Sequence, residues 1–118
     1  MPAILLSADL MTSSQVAGAA ARQQVQLITL ANPSALAEHE SVAGADLVIL
    51  DLAIGNLDPA AMVPTLKSLP DPPRRIIAFG PHVHEARLTA AQAAGCDAVL
   101  SRGQFHATMD ALLSGMSG

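Results

Sequence analysis

A carboxylate that follows an apolar run is the residue of this chain best placed to do chemistry. Asp51 comes directly after residues 47–50 (LVIL), a run typical of a strand buried on both faces of a parallel sheet. Ligands of open α/β sheets lie beyond the carboxyl ends of the strands. Seven residues later, Asp58-Pro59 is typical of a helix N-cap followed by proline in the first turn. The stretch therefore predicts a strand, an acidic loop and a helix start, with Asp51 at the functional edge; the alternative is a solvated Asp51 that only ends a strand.

Two histidines offer a second kind of chemistry. His82 and His84 follow the fourth predicted strand, which brings them to the same edge of the sheet as Asp51. Imidazole nitrogens and carboxylate oxygens bind zinc and other transition metals, so a metal-dependent enzyme at this edge is one hypothesis. Because an HxH spacing alone is a weak signal, a solvated loop with two histidines is the alternative.

These residues must be positioned by a regular alternation of strands and helices. Strands are predicted at residues 3–6, 25–30, 47–50, 75–79 and 98–100, and helices at 14–24, 33–42, after Asp58, at 85–94 and from Gly103 onward. Thr12 and Ser13 are candidate caps for the first helix, and Pro64 predicts that the third helix is kinked or begins late, near Val63. The alternation predicts one α/β domain over residues 1–118, with a parallel sheet between two layers of helices.

Composition excludes several classes of function. A chain of 118 residues, 51% hydrophobic but without Trp or Tyr, can build one aliphatic core. Its net charge of -4, with no basic run beyond Arg74-Arg75, argues against a nucleic-acid partner. The single cysteine, Cys96, excludes an internal disulfide and is compatible with a reducing, cytoplasmic compartment. No apolar stretch reaches the length of a membrane span, so we expect no membrane partner.

Three segments together resemble the response-regulator receiver family over essentially the whole chain. They are residues 46–51 with Asp58, residues 76–79, and residues 93–102 (AAGCDAVLSR) with Phe105. The resemblance implies a flavodoxin-like (βα)5 fold whose five-stranded parallel sheet has the order 2-1-3-4-5. It also implies a signalling role in two-component or phosphorelay systems rather than an enzyme activity. The implied partner is a histidine kinase, a phosphotransfer protein or an output protein.

The resemblance further implies a phosphoacceptor and a magnesium site at the sheet edge. Asp51 stands at the phosphoacceptor position, and the Ala53 carbonyl stands at the position of a magnesium ligand. The family's acidic pair after the first strand is replaced by Ser7-Ala8, and Asp9 comes one place late. Mg²⁺ demands near-octahedral oxygen ligation, so we expect weak or no binding when only one or two of the family's three carboxylates remain.

Three other positions depart from the family pattern. Gly80 stands in place of the Ser or Thr of the fourth strand, Val99 in place of the aromatic switch residue, and Arg102 in place of the lysine of the fifth strand. Arginine keeps the charge but differs from lysine in length and geometry. We therefore predict a degenerate receiver in which Asp51 pairs with Arg102; a receiver that is phosphorylated on Asp51 is the alternative.

The resemblance also implies a docking surface. In receivers the face formed by helix four, strand five and helix five binds partners or a second copy, which makes a homodimer one expectation. Here the candidates for that interaction face are Ala86, Ala90, Ala93, Phe105 and Met109. The alternative is that most of them only pack on the sheet.

A different class of binding module also has some support. Residues 48–62 resemble the anti-sigma-factor antagonist (STAS) pattern, in which a strand ending Asp-Leu leads to an Asp-Ser-Ser helix start. Here Asp58 is followed by Pro59-Ala60, so the serine that such proteins phosphorylate is missing. The β-α-β-α-β order predicted for the N-terminal part also argues against it.

Overall fold

The computed structural model confirms the predicted alternation and describes residues 2–39, 42–81 and 83–114. Its elements, in chain order, are β1 (Ala3–Leu6), α1 (Leu10–Arg22), β2 (Leu27–Leu30), α2 (Pro33–Glu38), β3 (Leu47–Asp51), α3 (Pro59–Lys67), β4 (Ile76–Gly80), α4 (Glu85–Ala94), β5 (Ala98–Ser101) and α5 (Arg102–Ser114). No helix within the described ranges is long and apolar enough to cross a membrane.

The five strands form one parallel sheet in the order β2-β1-β3-β4-β5, which confirms the flavodoxin-like prediction. In the register of β3 and β4, Asp51 lies opposite Phe79, and in that of β4 and β5, Gly80 lies opposite Ser101. Because all strands run in the same direction, their carboxyl ends meet at one edge of the sheet. Asp51, Gly80 and Ser101 therefore share that edge.

The sheet is packed on both faces, because successive side chains of a strand point to opposite sides. Helices α1 and α5 cover one face; its core comprises Ala3, Leu5, Val16, Ala19, Ala20, Leu47, Ile49, Ile77, Phe79, Phe105, Met109 and Leu113. Helices α2, α3 and α4 cover the other face, whose core includes Ile4, Leu6, Leu36, Val48, Leu50, Leu52, Val63, Leu66, Ile76, Ala78 and Ala91. Asp51 alternates in step with Leu47 and Ile49 and so belongs to the face under α1 and α5.

Helix α1 begins earlier than predicted, because a different residue caps it. Asp9, and neither Thr12 nor Ser13, is the N-cap: its side chain accepts a hydrogen bond from the backbone N–H of Met11 at 3.2 Å. The helix therefore starts at Leu10. The capping role places the Asp9 carboxylate at the functional edge of the sheet, directly after β1.

Helix α3 begins at Pro59, so the late start near Val63, one of the two alternatives stated for Pro64, is wrong. Asp58 caps it by accepting a hydrogen bond from the Ala60 N–H at 3.1 Å, as predicted, and Pro59 occupies the first turn. The helix continues through Pro64 to Lys67 instead of beginning near Val63. Val63 and Leu66 are fully buried, so packing against the sheet holds the helix despite the interior proline.

Candidate functional site

Asp51 is a buried carboxylate with several partners. Its side chain is 1% exposed. Its Oδ2 accepts a hydrogen bond from the Ser7 hydroxyl at 2.8 Å, and its Oδ1 accepts one from the Ala53 backbone N–H at 3.0 Å. The Oδ1 atom also lies 3.9 Å from Nη2 of Arg102. A buried carboxylate is stable only when it is paired and hydrogen-bonded in this way, so the solvated Asp51 considered above is wrong.

Arg102 bridges the two carboxylates of the site. It is the first residue of α5, directly after β5, and its side chain is 33% exposed. One guanidinium nitrogen, Nη1, lies 3.4 Å from Oδ2 of Asp9 and 3.2 Å from Oγ1 of Thr12, while Nη2 faces Asp51. Beneath it, the ring centroid of Phe79 is 5.9 Å away, within the range of a cation–π contact. The predicted pairing of Arg102 with Asp51 is present, and Asp9 is a second partner.

Asp9 combines capping with charge pairing. Besides the Met11 N–H, its carboxylate accepts a hydrogen bond from the Thr12 hydroxyl at 2.7 Å. The Thr12 bond, then the backbone N–H bonds of Met11 and Thr12 and the contact with Arg102, lower the pKa of Asp9 below its ordinary value, although partial desolvation opposes them. Asp9 therefore stays ionised to lower pH than an ordinary aspartate.

The donor set does not fit the magnesium ion that the receiver resemblance implies. Asp9, Asp51 and the Ala53 carbonyl are the candidate ligands. Each of the four carboxylate oxygens already accepts a hydrogen bond, from Met11, Thr12, Ala53 or Ser7. The guanidinium of Arg102 also faces both carboxylates. Mg²⁺ needs several oxygens in near-octahedral geometry, which this arrangement does not provide.

A second guanidinium, which the sequence analysis missed, holds the loop that follows Asp51. Arg87 lies in the first turn of α4. Its Nη1 donates hydrogen bonds to the carbonyl oxygens of Leu52 and Ile54, the latter at 2.9 Å. Its Nη2 donates to those of Gly55 and Leu57 at 3.3 and 3.2 Å. Each of these two nitrogens thus donates to two carbonyls, so one guanidinium binds four carbonyls of the loop.

A sequence signal for Arg87 does exist. The first turn of a helix is unfavourable for a cation, because the helix dipole places partial positive charge there. An arginine at this position of an otherwise small-residue helix therefore indicates a partner outside the helix. Ser7 is a second functional residue that the sequence did not reveal. It was considered only as the replacement of an acidic residue, whereas its hydroxyl is the closest partner of Asp51.

Gly80, the position that lacks the receiver hydroxyl, is tightly enclosed. A Cβ atom added here would lie 3.1 Å from Cβ of Leu52, closer than an ordinary van der Waals contact. The Leu52 carbonyl is in turn bonded to Arg87. The absence of a side chain at Gly80 thus matches the close approach of β4 to the loop after Asp51.

The predicted interaction face divides into a buried and an exposed part. Phe105 and Met109 are wrong as interaction residues: Phe105 is fully buried and stacks on Phe79 with ring centroids 4.1 Å apart, and Met109 belongs to the same core. The i, i+4 apolar spacing of α5 faces the sheet, which is the alternative stated above. Ala86 and Ala93 are exposed and Ala90 is half-buried, so these three are accessible.

The accessible part includes a shallow groove between α4, β5 and α5. Its walls are formed by Leu88, Thr89, Gln92, Ala93, Val99, Leu100, Ser101 and Gln104. Val99, which replaces the aromatic switch residue, is half-buried in this groove. Ala86 and Ala90 line a separate groove beside the loop 55–59.

The structure gives no support to a metal site at His84. This residue is exposed and precedes α4 without making a side-chain cap, and His82 lies outside the described residues. Among residues 2–39, 42–81 and 83–114, no three His, Cys, Asp or Glu side chains are grouped so that they could hold a metal ion.

Comparisons with known proteins agree with the fold. No protein-family model matches the sequence, and a search of curated proteins finds no significant match.

Solved structures do match. A response regulator from Hahella chejuensis has a TM-score of 0.83 at 16% identity, covering 98% of this chain and 93% of that one. The receiver domain of a sensor histidine kinase from Pseudomonas aeruginosa, solved with a magnesium ion coordinated in its active-site cleft, has a TM-score of 0.81 at 12% identity, covering 99% and 98%. The phosphorylated cyanobacterial phytochrome response regulator RcpA has a TM-score of 0.73 at 14% identity, covering 98% and 90%. The chain therefore has the flavodoxin-like fold of response-regulator receiver domains over nearly its whole length.

Proposed function

We propose that this chain is a receiver-like signalling domain of the two-component or phosphorelay type that acts by binding another protein. In this proposal it has weak or no Mg²⁺-dependent phosphorylation of Asp51 and is not an enzyme. Its partner is a histidine kinase, a phosphotransfer protein or an output protein.

One observation carries the proposal: the two carboxylates at the sheet edge are engaged by hydrogen bonds and by Arg102 instead of being free for a dication. Arg102 lies within 3.4 Å of Asp9 and 3.9 Å of Asp51, on a fold shared with receiver domains. Transfer of a phosphoryl group to a carboxylate requires that the negative charges be brought together and neutralised, commonly by Mg²⁺. A single positive charge already engaged by two carboxylates supplies that neutralisation poorly.

Burial of the acceptor supports the same conclusion. At 1% exposure, the Asp51 carboxylate has little open surface from which to attack a phosphoryl donor. Both of its oxygens are held by hydrogen bonds, to Ser7 and to Ala53. Gly80 has no hydroxyl with which to bind an incoming phosphoryl oxygen. These features make the phosphorylated-receiver alternative weaker than the interaction module.

The partner surface that we assign is the groove between α4, β5 and α5. It is open, and its floor and walls are mainly apolar or uncharged. A matched pair of variants tests this assignment once a partner or self-association has been measured. Ala93→Glu at the groove should weaken binding at least tenfold, whereas Ala61→Glu on the exposed surface of α3 should leave it unchanged. Equal effects would contradict the assignment.

The other functions weighed above have less support. The all-parallel sheet of order β2-β1-β3-β4-β5 is the order implied by the receiver resemblance, so nothing favours the antagonist module. A metal-dependent enzyme would need a ligand cluster, and His84 and Asp51 gain no third ligand from the described residues.

The test is a titration of the protein with Mg²⁺ and then with beryllofluoride, a mimic of a phosphoryl group, followed by backbone amide NMR. We expect no saturable shifts at Asp51, Gly80 and Arg102 at millimolar Mg²⁺. The receiver domain of the Pseudomonas sensor kinase, solved with magnesium, serves as the responding control. Saturable shifts confined to the Asp51 edge would overturn the proposal.

A further inference from the structure

We propose that two copies of this chain associate through the edge strand β2, with the two strands antiparallel about a two-fold axis that passes between their Ile28 residues. The pairing joins the five-stranded sheets of the two copies into one continuous sheet. It is independent of the proposed function, because β2 lies at one edge of the sheet and the groove between α4, β5 and α5 lies at the other.

The outer side of β2 carries backbone groups that β1 does not use. The carbonyls of Gln26 and Leu30 accept hydrogen bonds at 2.9 Å from N–H groups at the start of β1 and directly after its end. Backbone groups of successive strand residues point to alternate sides, so the N–H and C=O of Leu27 and Thr29 point away from β1. Within the described ranges no strand lies beyond β2. Leu27 and Thr29 therefore present donors and acceptors to the outside.

These outward groups match those of a second, antiparallel β2. Antiparallel strands alternate between residue pairs that exchange two hydrogen bonds and pairs that exchange none. With the axis at Ile28, Leu27 of each copy lies opposite Thr29 of the other, and both of these pairs exchange hydrogen bonds. The two Ile28 residues then form the pair without hydrogen bonds, in which cross-strand side chains come closest. One two-fold arrangement thus satisfies every outward backbone group of Leu27 and Thr29.

The side chains of β2 favour the same contact. Ile28 and Leu30 pack on the core under α2 yet are half-buried, and Thr29 is exposed. The helix that covers this face, α2, has only six residues, so its cover of β2 is incomplete. Pairing removes part of this apolar surface from water, and β-branched side chains directly opposite each other stabilise a strand pair.

The absence of charge makes this edge compatible with a copy of itself. Residues 23–37 are the longest stretch of the sequence without Asp, Glu, Lys or Arg. Edge strands are commonly protected from association by charged side chains, proline or bulges, and Leu27–Leu30 has none of these. About a two-fold axis like charges would face each other, so an uncharged edge avoids repulsion. The other edge strand, β5, is instead flanked directly by the charged Asp97 and Arg102.

The size of the contact predicts a weak, reversible dimer. A four-residue strand pair buries little surface, and interfaces below about 1,200 Å² are typical of transient complexes. Each copy carries a net charge of -4, whereas the paired strands carry none. Added salt should therefore tighten the dimer, because it screens the repulsion between the two molecules without weakening any ion pair in the contact.

The experiment is sedimentation velocity from micromolar to millimolar concentration. We expect the wild-type protein to show a concentration-dependent equilibrium between monomer and dimer. Thr29→Lys places like charges on both sides of the axis and should weaken the dimer at least tenfold. Thr29→Val keeps an uncharged, β-branched edge and should retain it. A wild-type protein that stays monomeric throughout, or equal association of the two variants, would overturn the inference.

Amide hydrogen exchange in the wild-type protein locates the contact without any substitution, so the test does not depend on the folding of a variant. The N–H groups of Ile28 and Leu30 face β1 and should exchange slowly at every concentration. Those of Leu27 and Thr29 should exchange at least tenfold more slowly once the dimer is populated. Added protection at α4 and α5, with none at Leu27 and Thr29, would contradict the assignment.

Ala93→Glu distinguishes this dimer from one formed through the groove between α4, β5 and α5. Ala93 lines that groove, far from β2 in the sheet order, so self-association should persist in this variant. Self-association that is lost in Ala93→Glu and kept in Thr29→Lys would overturn the inference. Binding of a protein partner that survives Ala93→Glu would instead contradict the groove assignment alone, so the two proposals can fail separately.

Discussion

Two arginines hold the Asp51 edge from opposite sides, and they use different chemistry. Arg102 binds charged side chains: the carboxylates of Asp9 and Asp51, together with the Thr12 hydroxyl. Arg87 instead donates to backbone, namely to carbonyls of the loop between β3 and α3. The first contact balances charge against charge, whereas the second matches a charged donor to uncharged acceptors.

Because of this difference, Arg102 sets the chemistry of the site, whereas Arg87 sets its shape. The contacts of Asp9 lower its pKa, so the Arg102 cluster is sensitive to acid. Backbone carbonyls do not titrate, and every residue has one whatever its side chain. The Arg87 contacts therefore depend on the path of the loop alone. We therefore expect changes at Arg87 to affect stability, and changes in the Arg102 cluster to affect the dependence of stability on pH.

Removal of the Arg87 head group should have the largest effect on stability. Arg87→Ala removes the guanidinium donor from four loop carbonyls, some of them partly buried, of which that of Ile54 keeps a hydrogen bond from the Leu57 N–H. Hydrogen bonds to charged groups contribute roughly 1.5–3 kcal/mol each and are not additive, so we expect the free energy of unfolding to fall by about 2–4 kcal/mol. Urea denaturation followed by circular dichroism measures the change.

The control for this prediction is Arg22→Ala, which breaks an exposed ion pair with Asp110. Exposed pairs contribute about 0–1 kcal/mol, so the two alanine variants should differ clearly. Arg87→Lys should fall between them, because three donors at one point cannot reach all four carbonyls. Similar costs for Arg87→Ala and Arg22→Ala would contradict the distinction between the arginines.

A side chain at Gly80 should have the next largest effect. Gly80→Ala places a Cβ 3.1 Å from that of Leu52, whose carbonyl Arg87 holds, so Leu52 cannot easily shift away. We expect a loss of about 1–2 kcal/mol, typical of overpacking. Gly103→Ala has open space around its Cβ and lies in a helix, so it should instead stabilise the protein by roughly 0.5–1 kcal/mol.

A double-mutant cycle links this prediction to Arg87. If the guanidinium fixes Leu52, Gly80→Ala should cost less when Arg87 is already alanine, and the two changes should couple by more than about 0.5 kcal/mol. Strictly additive costs would mean that Leu52 is held by its own packing and not by Arg87.

The contrast between the arginines also explains what could be predicted from the sequence. The pairing of Arg102 with Asp51 was foreseen because the receiver resemblance assigns these two charged side chains to the same edge of the sheet. The partners of Arg87 are carbonyls, which every residue carries, so no residue type marks them. The course of the loop 52–57 decides where those carbonyls point, and that course follows from tertiary packing.

The same reasoning applies to the elements and to the docking face. The strands, the helices and both core faces follow from apolar runs and from their alternation, which local sequence displays, whereas the strand order was implied by the receiver resemblance. Phe105 and Met109 were assigned to the surface because the family resemblance places an interaction face there, whereas their spacing already predicted a buried stripe. The Asp9 cap was missed because Thr12 and Ser13 are equally good capping residues, and only the end of β1 decides among them.

The smallest predicted effect is on how steeply the free energy of unfolding falls at low pH. It distinguishes the Arg102 cluster, which contains Asp9, from the contacts of Arg87. The pKa of Asp9 in the folded protein is lowered from 3.8, first by the Thr12 hydroxyl and also by backbone N–H groups and Arg102. A lowered pKa in the folded state stabilises the protein above the pKa of the unfolded chain, and this contribution is lost as the pH falls from about 3.8 through the lower folded value.

Asp9→Asn keeps a good N-cap but cannot titrate, so its free energy of unfolding should fall less steeply with acid in that window. Arg87→Ala, although less stable, should keep the wild-type slope, because its carbonyl partners do not titrate. Urea denaturation at a series of pH values measures the slopes; a wild-type slope in Asp9→Asn would show that the charge of Asp9 contributes nothing through its contacts with Thr12 and Arg102.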